Sequence, residues 1–255
     1  MTKALTLRLD KLLGNLGYGT RREVQLMARQ CRIRSSGEPL RDIEKRVTLT
    51  PDFVSSLTLD GAPLDPLPGM VLMLNKPLGV TCSHKEAGDL VYGLLPERWR
   101  LRQPPISSVG RLDKDTSGLL LMTDDGDLLH KIIAPRSHLP KRYRATLDRP
   151  LAGDEGEIFA SGTLMLNGED KPLLPAALDV VSPTEAILSI TEGRYHQVRR
   201  MFAAVKNHVT ALHRLSIGPL PLPETLGAGE FSVLTGAELA ALRASLVPRK
   251  NQDPE

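Results

Sequence analysis

The chain is predicted to be an α+β protein in two parts: a small basic N-terminal domain, then a larger domain on a mixed, mainly antiparallel sheet. Three observations predict it. Beyond residue 70 strand-like apolar runs outnumber helical patterns and do not alternate strictly with them, which disfavours a doubly wound parallel sheet. The stretch "DGAPLDPLPG", with three prolines and two glycines, breaks the pattern as a linker does. Charge is uneven: residues 1–60 hold 11 Lys/Arg against 7 Asp/Glu, and the rest of the 255-residue chain holds 22 against 23. The expected boundaries are 1–62 for the small domain, 63–69 for the linker, 70–246 for the large domain and 247–255 for a polar, disordered tail.

In chain order, Leu9, Leu12, Leu13 and Leu16 share one helical face, which Gly17 or Gly19 can end. Thr20 opens T-R-R-E, a capping box, and Val24, Met27, Ala28 and Cys31 repeat the helical spacing. Outward positions of this hairpin carry Arg21, Arg22, Arg29 and Arg32, with Arg34 just beyond; spacing alone also allows a plain solvated face. Short apolar runs and turns from Ile33 to Leu64 read as a small sheet. "MVLMLNKP", "GLLLMTDDG", "KRYRATLD" and "EAILSITEG" are strand candidates, the third alternating Tyr143, Ala145 and Leu147 with polar residues. "HQVRRMFAAVK" is a helix burying Val198, Met201, Phe202 and Val205, and T-G-A-E at Thr235 caps a last helix with Leu239, Leu242 and Leu246.

Several function classes are disfavoured. The two cysteines, Cys31 and Cys82, form no C-x-x-C pair and read as reduced thiols of a cytoplasmic protein. No run is apolar enough for a membrane span or signal core, and no phosphate-loop or dinucleotide fingerprint occurs, so no cofactor is indicated. In "SSVGRLDKDTSGLLLMTDDG", Asp113, Asp115, Ser117, Gly118 and Asp124 match positions of a calcium loop. The apolar run Leu119–Met122 inside that loop argues against calcium. A D-x-D-x-[TV] phosphatase nucleophile fits no better, since Ser117 fills the fifth place. Asp124, Asp125 and Asp127 are explained as turn formers and helix caps. Asp113 and Asp115 remain.

The motif "GRLDKDTSGLLLMTDDG" resembles the central motif of bacterial pseudouridine synthases of the RsuA/RluB/E/F type. "LNKPLGVTCS", "KRY" and "EGRYHQVRRMF" resemble that family's further motifs in the same order. The segment from Arg8 to Ile33 resembles the αL RNA-binding module shared with the ribosomal protein S-four family, although "SSGE" replaces the Val-Asn-Gly turn usual after it. "HQVRRMFAAV" followed by "LHRLSIG" is most like the branch acting on small-subunit (16S) ribosomal RNA.

The resemblance implies an isomerase that detaches a uracil, turns it and rejoins it through carbon, with no cofactor and no metal. By family resemblance the target is uridine 516, in a 16S ribosomal RNA of an assembling small subunit, and the enzyme is a cytoplasmic monomer without membrane contact. It assigns Asp113 as the catalytic carboxylate, nucleophile or base, with Arg199 as its partner; a neighbouring arginine keeps an aspartate ionised at neutral pH. Tyr143 would stack on the flipped base, and Arg111 would fill the gap that the base leaves. Asp115 and Thr116 would hydrogen-bond the turn presenting Asp113, with Gly110 and Gly118 permitting its geometry. Arg21, Arg22, Arg29, Arg32 and Lys76 would contact RNA; Lys76, His196 and Gln197, which lie in family motifs, receive no step and are read as ordering the loops. A 23S ribosomal RNA synthase of the same family and a non-catalytic assembly factor stay open as alternatives.

Overall fold

The computed structural model describes residues 6–83 and 87–247. The expected disordered tail therefore lies, apart from Val247, outside the described residues. The described residues divide into one compact unit within 6–70 and 95–107 and a second within 71–94 and 108–247.

In the first unit, β1 (Thr6–Arg8) leads into α1 (Leu9–Asn15), and α2 (Arg21–Arg29) follows the Gly-Tyr-Gly corner. The α2 capping box forms as expected: Thr20 accepts from the Glu23 amide, and the Glu23 carboxylate accepts from the Thr20 amide. A cap of this kind stabilises a helix by about 1 kcal/mol. β2 (Ile33–Ser35), β3 (Glu38–Pro39), β4 (Arg46–Thr48), α3 (Pro51–Ser56), β5 (Leu57–Leu59) and β6 (Ala62–Pro63) complete the unit. Its strands pair as β1–β4 and as a small sheet in the order β3-β2-β5-β6. Leu9, Leu12 and Leu13 of α1 and its C-cap Leu16 are buried with Val24, Ala28, Ile33, Ile43 and Leu57 in one core.

Residues 63–69, expected as a linker, are part of this unit, and so is the segment 95–107, expected in the large domain. Tyr18 is the reason. Its hydroxyl accepts from the Asp65 amide, Arg98 lies 4.4 Å over its ring, and Arg98 pairs with the Asp65 carboxylate at 2.6 Å. A proline-rich composition signals irregular backbone, not absence of packing.

The second unit begins with β7 (Val71–Lys76), followed by a 3-10 turn at Val91–Leu94; after the segment 95–107 of the first unit comes the short β8 (Ser107–Ser108). Then come β9 (Thr116–Thr123), α4 (Gly126–Ile133), β10 (Lys141–Leu147), α5 (Glu155–Ala160), β11 (Ala177–Ser182), β12 (Glu185–Ile190), α6 (Gln197–Ala204), β13 (Val209–Ile217), β14 (Leu220–Pro221), β15 (Phe231–Val233) and α7 (Gly236–Ser245). The sheet runs β11-β12-β10-β13-β9-β7-β15, with β14 alongside β13. Along this path β13–β9 is parallel and the other pairs are antiparallel, so the sheet is mixed and mainly antiparallel. β7 and β9 are buried on both faces, which explains their continuous apolar runs. Leu119, Leu121, Val71 and Met73 pack with Leu128, Ile132 and Leu242 from α4 and α7. β10 shows one solvated face, its Tyr143, Ala145 and Leu147 inward and Arg142 and Arg144 outward. Asp125 caps α4 by accepting from the Leu128 amide, and Thr235 and Glu238 form the capping box of α7.

The parallel contact depends on Gly118. It sits at φ +103, opposite Arg214 in the register, and a Cβ there would lie 2.6 Å from the Arg214 nitrogen and closer to its carbonyl oxygen. Strain at positive φ and overpacking against backbone add in the same direction, so Gly118→Ala is expected to destabilise the protein by roughly 2–5 kcal/mol. Urea unfolding measures it; an unchanged midpoint would show that β9 and β13 do not meet there.

Candidate active site

The loop that presents Asp113 lies immediately before β9, and one buried ammonium organises it. Lys76, at the end of β7, is fully buried, and its Nζ donates to the carbonyls of Pro77, Asp113 and Thr116 at 2.8–3.0 Å. Three acceptors around one ammonium offset much of the cost of desolvating it. Burial holds the Lys76 pKa below the ordinary lysine value, opposed by the fields of Cys82, Asp113 and Asp115. Lys76 therefore does not contact RNA as the sequence suggested: no part of it reaches the surface.

The Thr116 amide also donates to the Asp113 carbonyl, closing the turn. With its main chain held, the Asp113 side chain stays about a third exposed, its Oδ1 3.5 Å from Nε2 of His196. Arg199 reaches this loop one residue pair away from the expected contact. Its Nη2 donates to both the carbonyl and the carboxylate of Asp115, and its Nη1 donates to the Val209 carbonyl. The expected Arg199–Asp113 pairing is thus replaced by a brace between the loop, α6 and β13. Asp115 supports the turn through that brace, whereas Thr116 does so through its main chain.

Strand register builds the floor. Tyr143 on β10, Arg214 on β13 and Gly118 on β9 are successive partners across the sheet. Arg214 is buried; its Nε donates to the Leu119 carbonyl at 2.6 Å and its Nη1 to the Tyr143 hydroxyl oxygen at 3.2 Å. Arginine carries no acceptor, so the phenol accepts here and its own O–H stays available as a donor. Neither β13 nor Arg214 was read from the sequence. The available signal was "LHRLSIG", an arginine in an otherwise strand-like run. Ser117 and His213, whose pKa is lowered by burial and then by Arg144, bond each other at 2.8 Å.

A cleft of about 470 Å³ opens over this floor, within the range that holds small-molecule-sized ligands. Arg111, Asp113, Lys141, Tyr143, His196 and Arg214 are among its lining residues. Arg111 is exposed on it. The opposite wall is the segment from Glu192 to Arg199, which Gln197 ties together by accepting from the Arg194 amide and donating to Glu192. Among the described residues no group of three or more His, Cys, Asp or Glu is placed to hold a metal, and no helix is long and apolar enough to cross a membrane.

The basic residues expected to contact RNA separate in the structure. Arg21, Arg22 and Arg29 are exposed on α2. Arg32 instead pairs bidentately with Asp60 at 2.7–2.8 Å, joining the segment before β2 to the turn after β5.

Lys141, on β10, lines the cleft with its Nζ donating to the Leu139 carbonyl. Burial, and then the charge of Arg214, push its pKa from 10.5 down to about 8. Below pH 8 the ammonium is charged in both folded and unfolded states, and the folded state bears its desolvation. Between about 8 and 10.5 the folded state loses the proton first, so stability contributed by this group rises with pH. The stability of the wild type relative to Lys141→Met is therefore expected to improve from pH 7.5 to 9.5 in paired urea titrations. A difference independent of pH would contradict the burial of this ammonium.

A family model described as RNA pseudouridylate synthase matches residues 70–204. The ribosomal small subunit pseudouridine synthase A of Escherichia coli K12 is 41% identical over 240 residues, covering 92% of this chain and 100% of that protein. The protein of the same description from Vibrio cholerae is 38% identical, covering 92% and 99%. An uncharacterised RNA pseudouridine synthase of Bacillus subtilis, YtzG, is 37% identical, covering 92% and 98%. A crystal structure of a pseudouridylate synthase superposes with a TM-score of 0.65 at 35% identity, covering 92% of this chain and 99% of that one. With the carboxylate loop, the tyrosine floor and the basic cleft in one place, these matches establish that the chain belongs to the RNA pseudouridylate synthase family.

Proposed function

We propose that the enzyme converts one uridine of small-subunit (16S) ribosomal RNA to pseudouridine, at position 516, acting as a monomer on an assembling subunit. The observation that carries the chemistry is Asp113, a partly exposed carboxylate on a main chain pinned by Lys76, at the edge of a cleft of suitable size. The choice of ribosomal RNA is supported by the relatives described as ribosomal small subunit pseudouridine synthase A, which align over nearly the whole chain.

The reaction is an isomerisation. The C1′–N1 bond breaks, the uracil turns, a C1′–C5 bond forms, and the C5 proton is lost while N1 finishes protonated, so no oxidant or reductant enters the balance. Asp113 meets the ribose either as a nucleophile at C1′ or as a base at C2′; only the first gives an ester between enzyme and sugar. Unstacking the target costs a few kcal/mol. Tyr143, its hydroxyl oxygen held by Arg214, stands in the cleft to take the flipped base, and Arg111 stands at the exposed edge to occupy the vacated stack. The N-terminal unit acts on this reading as an αL module of the ribosomal protein S-four type. It holds phosphates through Arg21, Arg22 and Arg29, giving a salt-dependent, sequence-independent contribution to affinity.

Two outcomes are expected. Asp113→Asn lowers pseudouridine formation on a 16S transcript by at least about three orders of magnitude while RNA affinity and the unfolding midpoint stay near wild type. Turnover at the wild-type rate would refute the assignment, and pseudouridine mapping in cells lacking the protein identifies the position. Lys76→Met is expected to lower kcat about tenfold or more with KM for RNA within twofold, because the loop loses its organiser while no RNA contact is removed. A raised KM with kcat intact would restore Lys76 to the RNA-binding surface.

A further inference from the structure

The wall of the cleft carries an aromatic ring that no step above employs. Tyr195 is 75% exposed, while among the described residues every other Phe, Tyr and Trp ring is buried or partly buried. It stacks on its neighbour His196, ring centroids 3.9 Å apart and planes 16° from parallel. His196 in turn has Nε2 3.5 Å from Oδ1 of Asp113, so the two rings form a continuous shelf from the carboxylate outward.

The shelf is built at a cost and held rigidly. His196 adopts a left-handed conformation, φ 48 and ψ 33, sparsely populated for a residue with a side chain and worth about 1–3 kcal/mol of strain. Arg200 donates to the Tyr195 carbonyl, to Glu169 and to the Asn167 carbonyl. Arg194 spans Glu192, Glu169 and the carbonyls of Lys171 and Pro172. A loop pinned by two guanidinium forks presents its exposed ring with little conformational freedom left to lose, the condition under which an aromatic contact contributes most to binding. Nothing in this network needs a phenol ring in the water. The family substrate is RNA, whose bases have a flat apolar face that such a ring can cover.

We propose that Tyr195, stacked on His196, is a stacking shelf that binds the nucleobase next to the target uridine. The target base enters the cleft beside Tyr143; its neighbour stays at the mouth and stacks on the exposed face of Tyr195. The inference rests on the functional reading above in requiring an RNA substrate whose target base enters the cleft.

The test uses the full-length enzyme and the ribosomal RNA transcript that it modifies. Tyr195→Ala is expected to raise KM about 5- to 150-fold, the range that one base–aromatic stack supplies, with kcat within threefold. Tyr195→Phe keeps the ring and recovers wild-type KM within threefold; Tyr195→Leu keeps apolar area without the ring and behaves like Ala. Transcripts with an abasic site 5′ or 3′ of the target close the cycle. At one of the two positions wild type loses the same factor and Tyr195→Ala loses nothing more. The shelf is overturned if Tyr195→Ala leaves KM within twofold. It is equally overturned if the losses are additive at both neighbours, or if kcat falls with KM unchanged, which would make Tyr195 a positioning residue for His196. Measuring Kd for the same transcripts repeats the cycle without turnover, and a 23S transcript replaces the 16S one if that is what the wild type modifies. Failure of the small-subunit assignment is thereby separated from failure of the shelf.

Discussion

The second unit depends on one close approach between main chains. β9 and β13 run parallel, and at Gly118 and Arg214 they are near enough that a methyl group on Gly118 would strike the Arg214 backbone. That approach aligns Tyr143, Arg214 and Gly118 in one row. It also places the loop before β9, which carries Asp113, at the end of a strand fixed on both sides by β7 and β13. A site supported from rigid strands holds its reacting group more tightly than one carried by loops alone.

The same unit tolerates an unusual concentration of buried cations. Lys76 and Arg214 are buried and Lys141 is mostly desolvated, all close to the Asp113 loop or the cleft. Buried charges are costly unless they are bonded, and here carbonyl oxygens are prominent among the partners: three for Lys76, one each for Lys141 and for the Nε of Arg214. Carbonyls accept from these donors without neutralising the charge, and Nη2 of Arg214 is left without a partner, so the cleft keeps a positive potential. For an enzyme that acts on a polyanion, that potential serves binding, at the expense of stability that a fully paired core would have retained.

Local signals were legible wherever short-range physics decides. Both capping boxes, the α1 leucine face, the alternation in β10 and the Asp125 cap follow from spacings of a few residues and all form. What escaped were features made between distant segments. Residues 95–107 belong to the first unit because Arg98 covers Tyr18, a contact across 80 positions that no composition window registers. β13 looked ordinary because its alternation is broken by a buried arginine, and that arginine becomes acceptable only once Tyr143 and Leu119 supply acceptors.

The aspartate-rich stretch shows the division most clearly. By itself the sequence determined that an aspartate of this stretch, Asp125, caps α4, and its ordered motifs determined that Asp113 belongs to a pseudouridylate synthase, since motif chemistry and caps are local in the chain. Only the tertiary structure decided how Asp113 is held. Lys76, 37 positions away, binds its carbonyl instead of RNA; Arg199 braces Asp115 instead of Asp113; and His196, not an arginine, faces its carboxylate. Residue type and spacing specify which groups are available. Which of them meet is set by strand register and by the competition of buried donors for the few acceptors within reach, and that exists only in the folded chain.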